Sequence, residues 1–400
     1  MDAALREFVK AHREEDVRRL ALQGDRWPAV DIRAAAVQIQ GWQTARTKLP
    51  LWAATEGIVF PEHLAMEQCS SQRTAEYKGN IAAALPRCER LTDLTGGFGV
   101  DATMMARRTG AQLTLAEPQE GLCRVVANNL PLLGVEGARV VCGRAEELLA
   151  SLPRQDLIYL DPSRRDDHGG RVAAIDSCRP DVGALLPRLL ERAEHVMVKL
   201  SPMLDLTQAL RTLPARQVHV VSVEGECKEM VVLMGGATGE MKEEEEPVVH
   251  CVNIGRRTTD FAFTRSEERG AACPLADGPG TLLLEPDASV MKAAPFRTVA
   301  ARFALRKLHP NSHLYTAETL VTADFPGRVF RVVATCAPTR RAVQALLGQK
   351  PAAHLSVRNF PLPTDTLRHR LGLREGGDRY LFATTLRDGS HRIIVCTPQP

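Results

Sequence analysis

At 400 residues the chain is too long for a single hydrophobic core, so two or three domains are expected. No apolar run reaches the ~18 residues that cross a bilayer, and residues 1–16, MDAALREFVKAHREED, lack the apolar core of a signal peptide. A cytoplasmic protein is expected, with no membrane partner. The net charge of +3 conceals a split: residues 248–400 carry an excess of nine positive charges and residues 1–247 an excess of six negative ones. A basic C-terminal part on a mildly acidic body points to a polyanion partner. A solvated surface with a chance excess is the plain alternative. None of the ten cysteines forms a CxxC pair, and no histidine cluster lies beside them, which argues against structural zinc and a disulfide framework. Most are expected to be buried as small hydrophobes.

In chain order, residues 1–50 read as helical, with Leu5, Phe8, Val9, Val17 and Leu20 at three- and four-residue spacing and Gly41 as a possible break. Ser71 or Thr74 can cap the helix that follows. From Arg90 onward the period changes. Short apolar runs (RLTDL, AQLTLAE, ARVVCG, DLIYLD, HVMVKLS, QVHVVSV, KEMVVLMG) alternate with helical stretches near 101–109, 119–130, 181–193 and 204–213. That alternation predicts a parallel sheet covered on both faces. Too few residues separate the last two runs for a helical crossover, so the seventh strand must pair antiparallel. The charged run MKEEEEP at 241–247 marks a boundary. Beyond it come two strands, a third (TLLLEP) leading into a helical stretch around 287–308, and then strand, helix, strand, helix, strand, turn, strand. The turn is RDGS at 387–390.

Chemistry concentrates at strand ends. In TDLTGGFGVD, 92–101, a strand ends at Asp93 and a helix is expected from about Val100, with Gly96, Gly97 and Gly99 between them. Glycines allow a tight turn and close approach of a ligand, and a helix N-terminus favours an anionic group. The spacing is not GxGxxG. It resembles the acid-x-G-x-G-x-G loop of class I S-adenosylmethionine-dependent methyltransferases, with Thr95 in place of the first glycine. A glycine turn without a ligand is the alternative. Glu117 ends the second strand, 24 residues after Asp93, where an acid can accept from ribose hydroxyls. After the third strand stands Arg144 where such enzymes often have an acid, so an adenine contact falls to Arg144 or the backbone of Ala145.

The fourth strand ends in Asp161-Pro162-Ser163-Arg164-Arg165. Asp93, Glu117 and Asp161 all end strands, so all three can face one crevice at the carboxyl edge of the sheet. Asp161-Pro162-Ser163 resembles the (D/N)-P-P-x motif of nucleic-acid and protein methyltransferases, in which the acid or amide and nearby carbonyls hold the acceptor; Ser163 replaces the second proline. Arg164 and Arg165 can pair with substrate phosphates or with Asp166 and Asp167. Lys199, ending the fifth strand, can anchor substrate or snorkel. No cysteine follows that strand, and Cys227 is badly placed to act as a nucleophile. In SVRNFPLP, Arg358, Asn359 and Phe360 set a cation, an amide and an aromatic side by side, a combination that contacts nucleotides. A buried Phe360 and a solvated Arg358 are the alternative.

TDLTGGFGVD, YLDPSRRDDHGG, VMVKLSPMLDL, ECKEM, LEPDASVMKA and LSVRNFPLP…GGDRYLFATTL, in this order, resemble the bacterial THUMP-like-domain class I methyltransferases, found mainly in Bacteroidetes. The likeness spans nearly the whole chain. It implies an α/β fold: an N-terminal helical region (1–80), a Rossmann-like seven-stranded class I methyltransferase domain (81–240), and C-terminal ferredoxin-like (248–325) and THUMP-like (326–400) α+β domains. It implies S-adenosyl-L-methionine as cofactor, no metal, and, because THUMP domains elsewhere bind RNA, methylation of tRNA or rRNA. Two departures stand out: the family pattern has Asn where this chain has Gly225, and Gly-Asp where Arg144 stands.

Overall fold

The computed structural model describes residues 2–164, 178–235, 246–319 and 324–399. The chain divides into two compact units, Met1–Arg216 with Met230–Glu243, and Gln217–Glu229 with Glu244–Pro400.

The first unit begins with six helices: α1 (Ala3–His12), α2 (Val17–Leu22), α3 (Ile32–Lys48), α4 (Pro50–Ala54), α5 (His63–Gln68) and α6 (Gln72–Ala83). Asp2, Asp16, Asp31 and Ser71 cap α1, α2, α3 and α6, each side chain accepting a backbone N–H three residues on; such a cap contributes about 1 kcal/mol. Gly41 does not break the helical region. It lies inside α3, and a Cβ there would sit 2.3 Å from Phe60 Cβ, so the glycine admits a neighbouring ring instead of ending a helix.

The alternating segment folds as β1 (Arg90–Asp93), α7 (Val100–Thr109), β2 (Gln112–Glu117), α8 (Glu120–Leu132), β3 (Arg139–Cys142), α9 (Ala145–Ser151), β4 (Gln155–Leu160), a short antiparallel pair β5 (Ser163–Arg164) and β6 (Cys178–Arg179), α10 (Val182–Arg192), β7 (Ala193–Leu200), α11 (Leu206–Thr212), β8 (Ala215–Val223) and β9 (Glu226–Gly235). The sheet order is β3-β2-β1-β4-β7-β9, with β8 as the hairpin partner of β9. The first five strands run parallel, and β9 is antiparallel to β7. All six residues of β4 are buried, as befits a central strand covered on both faces. The β8–β9 turn is Glu224-Gly225, both at positive φ (51° and 85°), as a two-residue type I′ turn requires. Asn and Gly both accept that conformation, so the Asn-to-Gly departure at 225 preserves the turn. Asp156, at the opposite edge, accepts the Glu89 and Arg90 N–H groups and so sets where β1 begins. The helical region is part of the same core: Trp52, Phe60, Met66 and Ala75 pack with Phe98, Val100 and Met104.

In the second unit, Gln217–Val223 of β8 pairs parallel with β10 (Val248–Ile254), which pairs antiparallel with β11 (Thr258–Phe263). After α12 (Arg265–Gly270) come β12 (Leu282–Pro286), α13 (Ala288–Ala293), α14 (Phe296–Arg302), β13 (Arg306–Lys307), β14 (Tyr315–Ala317), β15 (Gly327–Cys336), α15 (Arg340–Leu347), β16 (His354–Arg358), α16 (Thr364–Leu371), β17 (Tyr380–Thr385) and β18 (His391–Pro398). The helical stretch expected over 287–308 is two helices and a strand. Ala294 turns left-handed (φ 64°) and Pro295 cannot continue α13. β12 to β18 form one sheet, in the order β13-β14-β12-β15-β18-β17-β16. Val343, Leu367 and Leu371 of α15 and α16 cover one core; a second core gathers Ala276, Leu308 and Leu314 with Leu283, Phe330 and Phe382.

Four cysteines are buried, five are half-buried and Cys142 is exposed, so burial is less general than expected. Among the described residues no helix is long and apolar enough to cross a membrane.

Gly41→Ala should cost about 1–3 kcal/mol, as overpacking does. Trp27, Trp42 and Trp52 all lie in the helical region, so urea unfolding followed by tryptophan fluorescence reads this unit.

Candidate functional site

The connection order reverses between β1 and β4: β1 continues outward through β2 and β3, β4 through β7. Their carboxyl ends lie side by side, Asp93 pairing with Tyr159 and Leu94 N–H donating to Tyr159 O at 3.0 Å. A crevice is expected at such a point.

The glycine loop is built by sterics. Gly96 passes under β2: its N–H donates to Ala116 O at 2.8 Å, and a Cβ would lie 2.2 Å from Leu115. Gly99 turns left-handed (φ 75°) immediately before α7. Gly97, also at positive φ, is different. A Cβ there would meet only Thr95 O at 3.9 Å, so this face of the loop is open to a ligand.

Asp93 is 2% exposed. Its Oδ1 accepts from Thr95 N–H (2.8 Å) and Thr95 Oγ1–H (3.2 Å), while Oδ2 takes no hydrogen bond among the described residues. Burial pushes its pKa up to about 8; the Thr95 N–H and hydroxyl pull it down, and Asp101 and Asp161 add to the rise. Thr95 Oγ1 also accepts the Asp161 N–H at 2.6 Å. The residue in the place of the first glycine therefore joins the ends of β1 and β4. Glu117 is buried and accepts from Gly97 N–H through Oε2 and from Gln119 N–H through Oε1, both at 2.9 Å, which braces the loop against β2.

Asp161 Oδ2 is ion-paired to Lys199 Nζ, from the end of β7. Pro162 beside it is buried, and Ser163 is exposed. Arg144 is exposed at the start of α9, where its N–H donates to Glu147 Oε2 at 3.3 Å; Ala145 is buried next to it. Arg164 lies in β5, and Arg165 falls outside the described residues, as do Asp166 and Asp167. The structure thus brings Asp93, Thr95, Gly96, Gly97, Gly99, Glu117, Asp161 and Lys199 together. Arg358, Asn359 and Phe360 belong to the second unit. There Arg358 is held by buried Glu285 Oε1 at 3.1 Å, which also accepts Ser356 Oγ–H, while Glu285 Oε2 pairs with Arg328. Asn359 is exposed at positive φ (51°) with Nδ2 3.0 Å from His309 Nδ1. Phe360 is half-buried at the rim of a core and makes an edge contact with His391 (centroids 5.2 Å).

Sequence reading missed a buried polar cluster below the glycine loop. Lys78 of α6 is wholly buried and pairs with Asp101 Oδ1 of α7 at 3.1 Å. Asp101 Oδ2 accepts Ser70 Oγ–H (2.8 Å) and Tyr159 OH (2.7 Å). Burial opposes ionisation of Asp101, but Lys78, Lys199 and the Tyr159 and Ser70 hydroxyls outweigh it and hold its pKa low. The available signal was a lysine on the apolar face of α6 with Ala75 and Ala82.

The donor set fits S-adenosylmethionine, which carries an ammonium, a sulfonium and ribose hydroxyls. A buried carboxylate with an unpartnered oxygen lies beside an open glycine, and a second buried carboxylate adjoins the same loop. Among the described residues no group of three or more His, Cys, Asp or Glu is placed to hold a metal.

Comparison with known proteins agrees. A crystal structure of a candidate methyltransferase from Porphyromonas gingivalis W83 is 33% identical, covering 99% of this chain and 98% of that one, with a TM-score of 0.87. Two Mycobacterium tuberculosis relatives, from strains CDC 1551 / Oshkosh and H37Rv, are called uncharacterized S-adenosylmethionine-dependent methyltransferases. Each is 28% identical over 280 residues, 68% of this chain and 71% of theirs. Family models match residues 283–326 as a ferredoxin-like domain and residues 327–398 as THUMP domain-like.

Lys78→Met should destabilise the first unit by about 3–5 kcal/mol, because it strands a buried carboxylate. Lys78→Met combined with Asp101→Asn should lose less than the sum of the two single changes, read by urea unfolding as a double-mutant cycle.

Proposed function

The chain belongs to the THUMP-like-domain class I S-adenosylmethionine-dependent methyltransferase family, and from that premise we propose that its methyl acceptor is RNA, tRNA or rRNA. The observation that carries the proposal is the placement of charge: residues 327–398 hold twelve Lys and Arg against four Asp and Glu. Neutralising phosphates is what such a stretch does best. A small-molecule or protein acceptor gives no reason for it.

On this reading residues 81–240 hold the cofactor and the reacting group of the acceptor, and residues 248–325 and 326–400 bind the rest of the RNA. When bound, S-adenosylmethionine supplies a methyl group already activated on a sulfonium. The work left to this chain is orientation and exclusion of water. Asp93, Thr95, Gly96, Gly97, Gly99 and Glu117 form the cofactor side, with Arg144 and Ala145 at the β3 end. Asp161, Pro162 and Ser163 form the acceptor side. Asp161 is held twice, through its N–H by Thr95 and through its carboxylate by Lys199. A carboxylate fixed in this way can accept a hydrogen bond from an acceptor N–H or O–H and keep its lone pair aimed at the methyl group. Lys199, Arg164 and Arg165 are our candidates for pairing with substrate phosphates.

In the second unit, a groove of about 810 Å³ is lined by Asn359, Phe360, Pro361, Pro363, Thr385 and His391. Aromatic and amide groups around an open groove suit an unstacked base, with Arg358 alongside, pre-set by Glu285.

The test is incubation of the full chain with methyl-labelled S-adenosylmethionine and total bacterial RNA, followed by nucleoside analysis. Label should enter one nucleoside, and Asp161→Ala should cut the rate by about 100-fold or more. Label found only in protein or small molecules would refute RNA as acceptor. His391→Ala should weaken RNA binding while leaving S-adenosylmethionine affinity unchanged, measured by fluorescence anisotropy and calorimetry.

A further inference from the structure

We propose that the free protein carries a proton on Asp93 Oδ2 and releases it when S-adenosylmethionine binds, so that cofactor affinity rises with pH. This rests on the reading of Asp93 as a cofactor residue.

Hydrogen-bond accounting carries the argument. The Thr95 hydroxyl has one proton and accepts the Asp161 N–H, so its own proton goes to Asp93 Oδ1. Oδ1 also accepts the Thr95 N–H. Oδ1 is therefore the acceptor oxygen, and any proton on the carboxyl belongs on Oδ2. Oδ2 has no donor among the described residues, and the side chain is buried; an ionised carboxylate in that setting is costly.

The surrounding charges do not relieve that cost. From α7, Asp101 faces Asp93 as a like charge, and so does Asp161 from the end of β4. The lysines nearby are committed elsewhere: Lys78 from α6 is paired with Asp101, and Lys199 from β7 with Asp161. Glu117 from β2 adds a third carboxylate next to the loop. Among the described residues, two of these four carboxylates are paired with lysines and Glu117 accepts two backbone N–H groups, which leaves Asp93 as the one to stay neutral. A pKa raised to about 8 by burial agrees.

An entering ligand with an ammonium and a sulfonium reverses the balance. The Oδ2–H bond breaks, the proton passes to solvent buffer, and the carboxylate left behind is compensated by the ligand's positive charge. Only the deprotonated fraction then binds, which gives the pH dependence its sign. Affinity should rise about tenfold per unit between pH 6 and 7 and level off above about 8.

Calorimetric titration of the full chain with S-adenosylmethionine in phosphate and in imidazole at pH 6.5 tests this directly. Regressing the observed enthalpy on buffer ionisation enthalpy should give a release of about one proton. A release near zero, or affinity independent of pH, would overturn the proposal. Asp93→Asn, which also subtracts any titration of the ligand itself, should abolish the release and weaken binding. If that variant still releases the proton, another group is its source and the proposal fails. If the variant loses affinity and the wild type releases nothing, the proton falls but the cofactor site stands. Unchanged affinity in the variant would remove Asp93 from the site altogether. Should Asp93→Asn not fold, Thr95→Val serves: losing a donor to Oδ1 raises the Asp93 pKa, so the levelling-off must move to higher pH.

A ligand-free readout exists as well. The folded-state pKa lies above the ordinary 3.8, so the wild type loses stability as pH climbs through that window. Asn does not titrate. Asp93→Asn should therefore melt higher than wild type without cofactor, by a margin that widens from pH 5 to 8 and is constant beyond.

Discussion

One hydroxyl group holds the active edge of this protein together. Thr95 Oγ1 donates to Asp93 at the end of β1 and accepts the N–H of Asp161 just past β4. These are the two strands between which the connection order reverses, so no helix or turn of the chain joins their ends directly. A glycine at this position, as in the motif the loop resembles, could supply the turn but not the bridge. Asp93 and Asp161, the acids we propose for the cofactor and acceptor sides, are thus set by the same side chain, and their separation is fixed by two hydrogen bonds and a strand pairing. Their charges are linked by the same contact, since a change in the ionisation of Asp93 alters the acceptor strength that Thr95 offers to the Asp161 loop.

Beneath that bridge lies a cost. Lys78 and Asp101 are both removed from water, and a buried ion pair seldom stabilises a fold more than apolar residues of the same size would. Its effect here is one of arrangement. Ser70, Lys78, Asp101 and Tyr159 come from the helical region, α6, α7 and β4, and the carboxylate of Asp101 binds the other three at once. Gly79, one residue on from Lys78, lets α6 approach so closely that a Cβ would lie 2.9 Å from Met104 O. The N-terminal helices are therefore part of the methyltransferase core, and the positive charge of Lys78 offsets one of the carboxylates around the proposed cofactor position.

Local signals in the sequence went far here because the candidate site is made of strand ends, and strand ends are legible. Apolar runs terminating in Asp93, Glu117 and Asp161 announce the sheet and put these three acids at its carboxyl edge. The glycines at 96, 97 and 99 announce the turn, though not that Gly96 serves packing while Gly97 faces open space. What stayed hidden is tertiary. Gly41 looked like a break because a helical glycine is unfavourable by about 1 kcal/mol, yet Phe60, nineteen residues on, explains it. The stretch over 287–308 read as helical throughout, yet Pro295 with the left-handed Ala294 separates α13 from α14, and the left-handed Ala304 lies between α14 and β13. Lys78 carried a weak signal, a cation on an apolar face, and its partner Asp101 could be named only once α6 and α7 were packed.

The second unit follows a different logic from the first. Its acidic residue of consequence, Glu285, is buried 3% exposed and is surrounded by arginines and a hydroxyl: Arg328, Arg358 and Ser356 all bind its two oxygens. A carboxylate so placed fixes long cationic side chains that would otherwise each give up substantial rotamer entropy on binding a polyanion. Arg328 also lies over the rings of Phe330 and Tyr380, with His354 stacked on Tyr380. Two cations held by a buried acid, one of them over aromatic faces, make a pre-organised surface, in contrast to the loosely solvated charges of an ordinary basic protein. Pre-organisation of this kind accords with the RNA acceptor we propose, whose phosphates and bases are presented together.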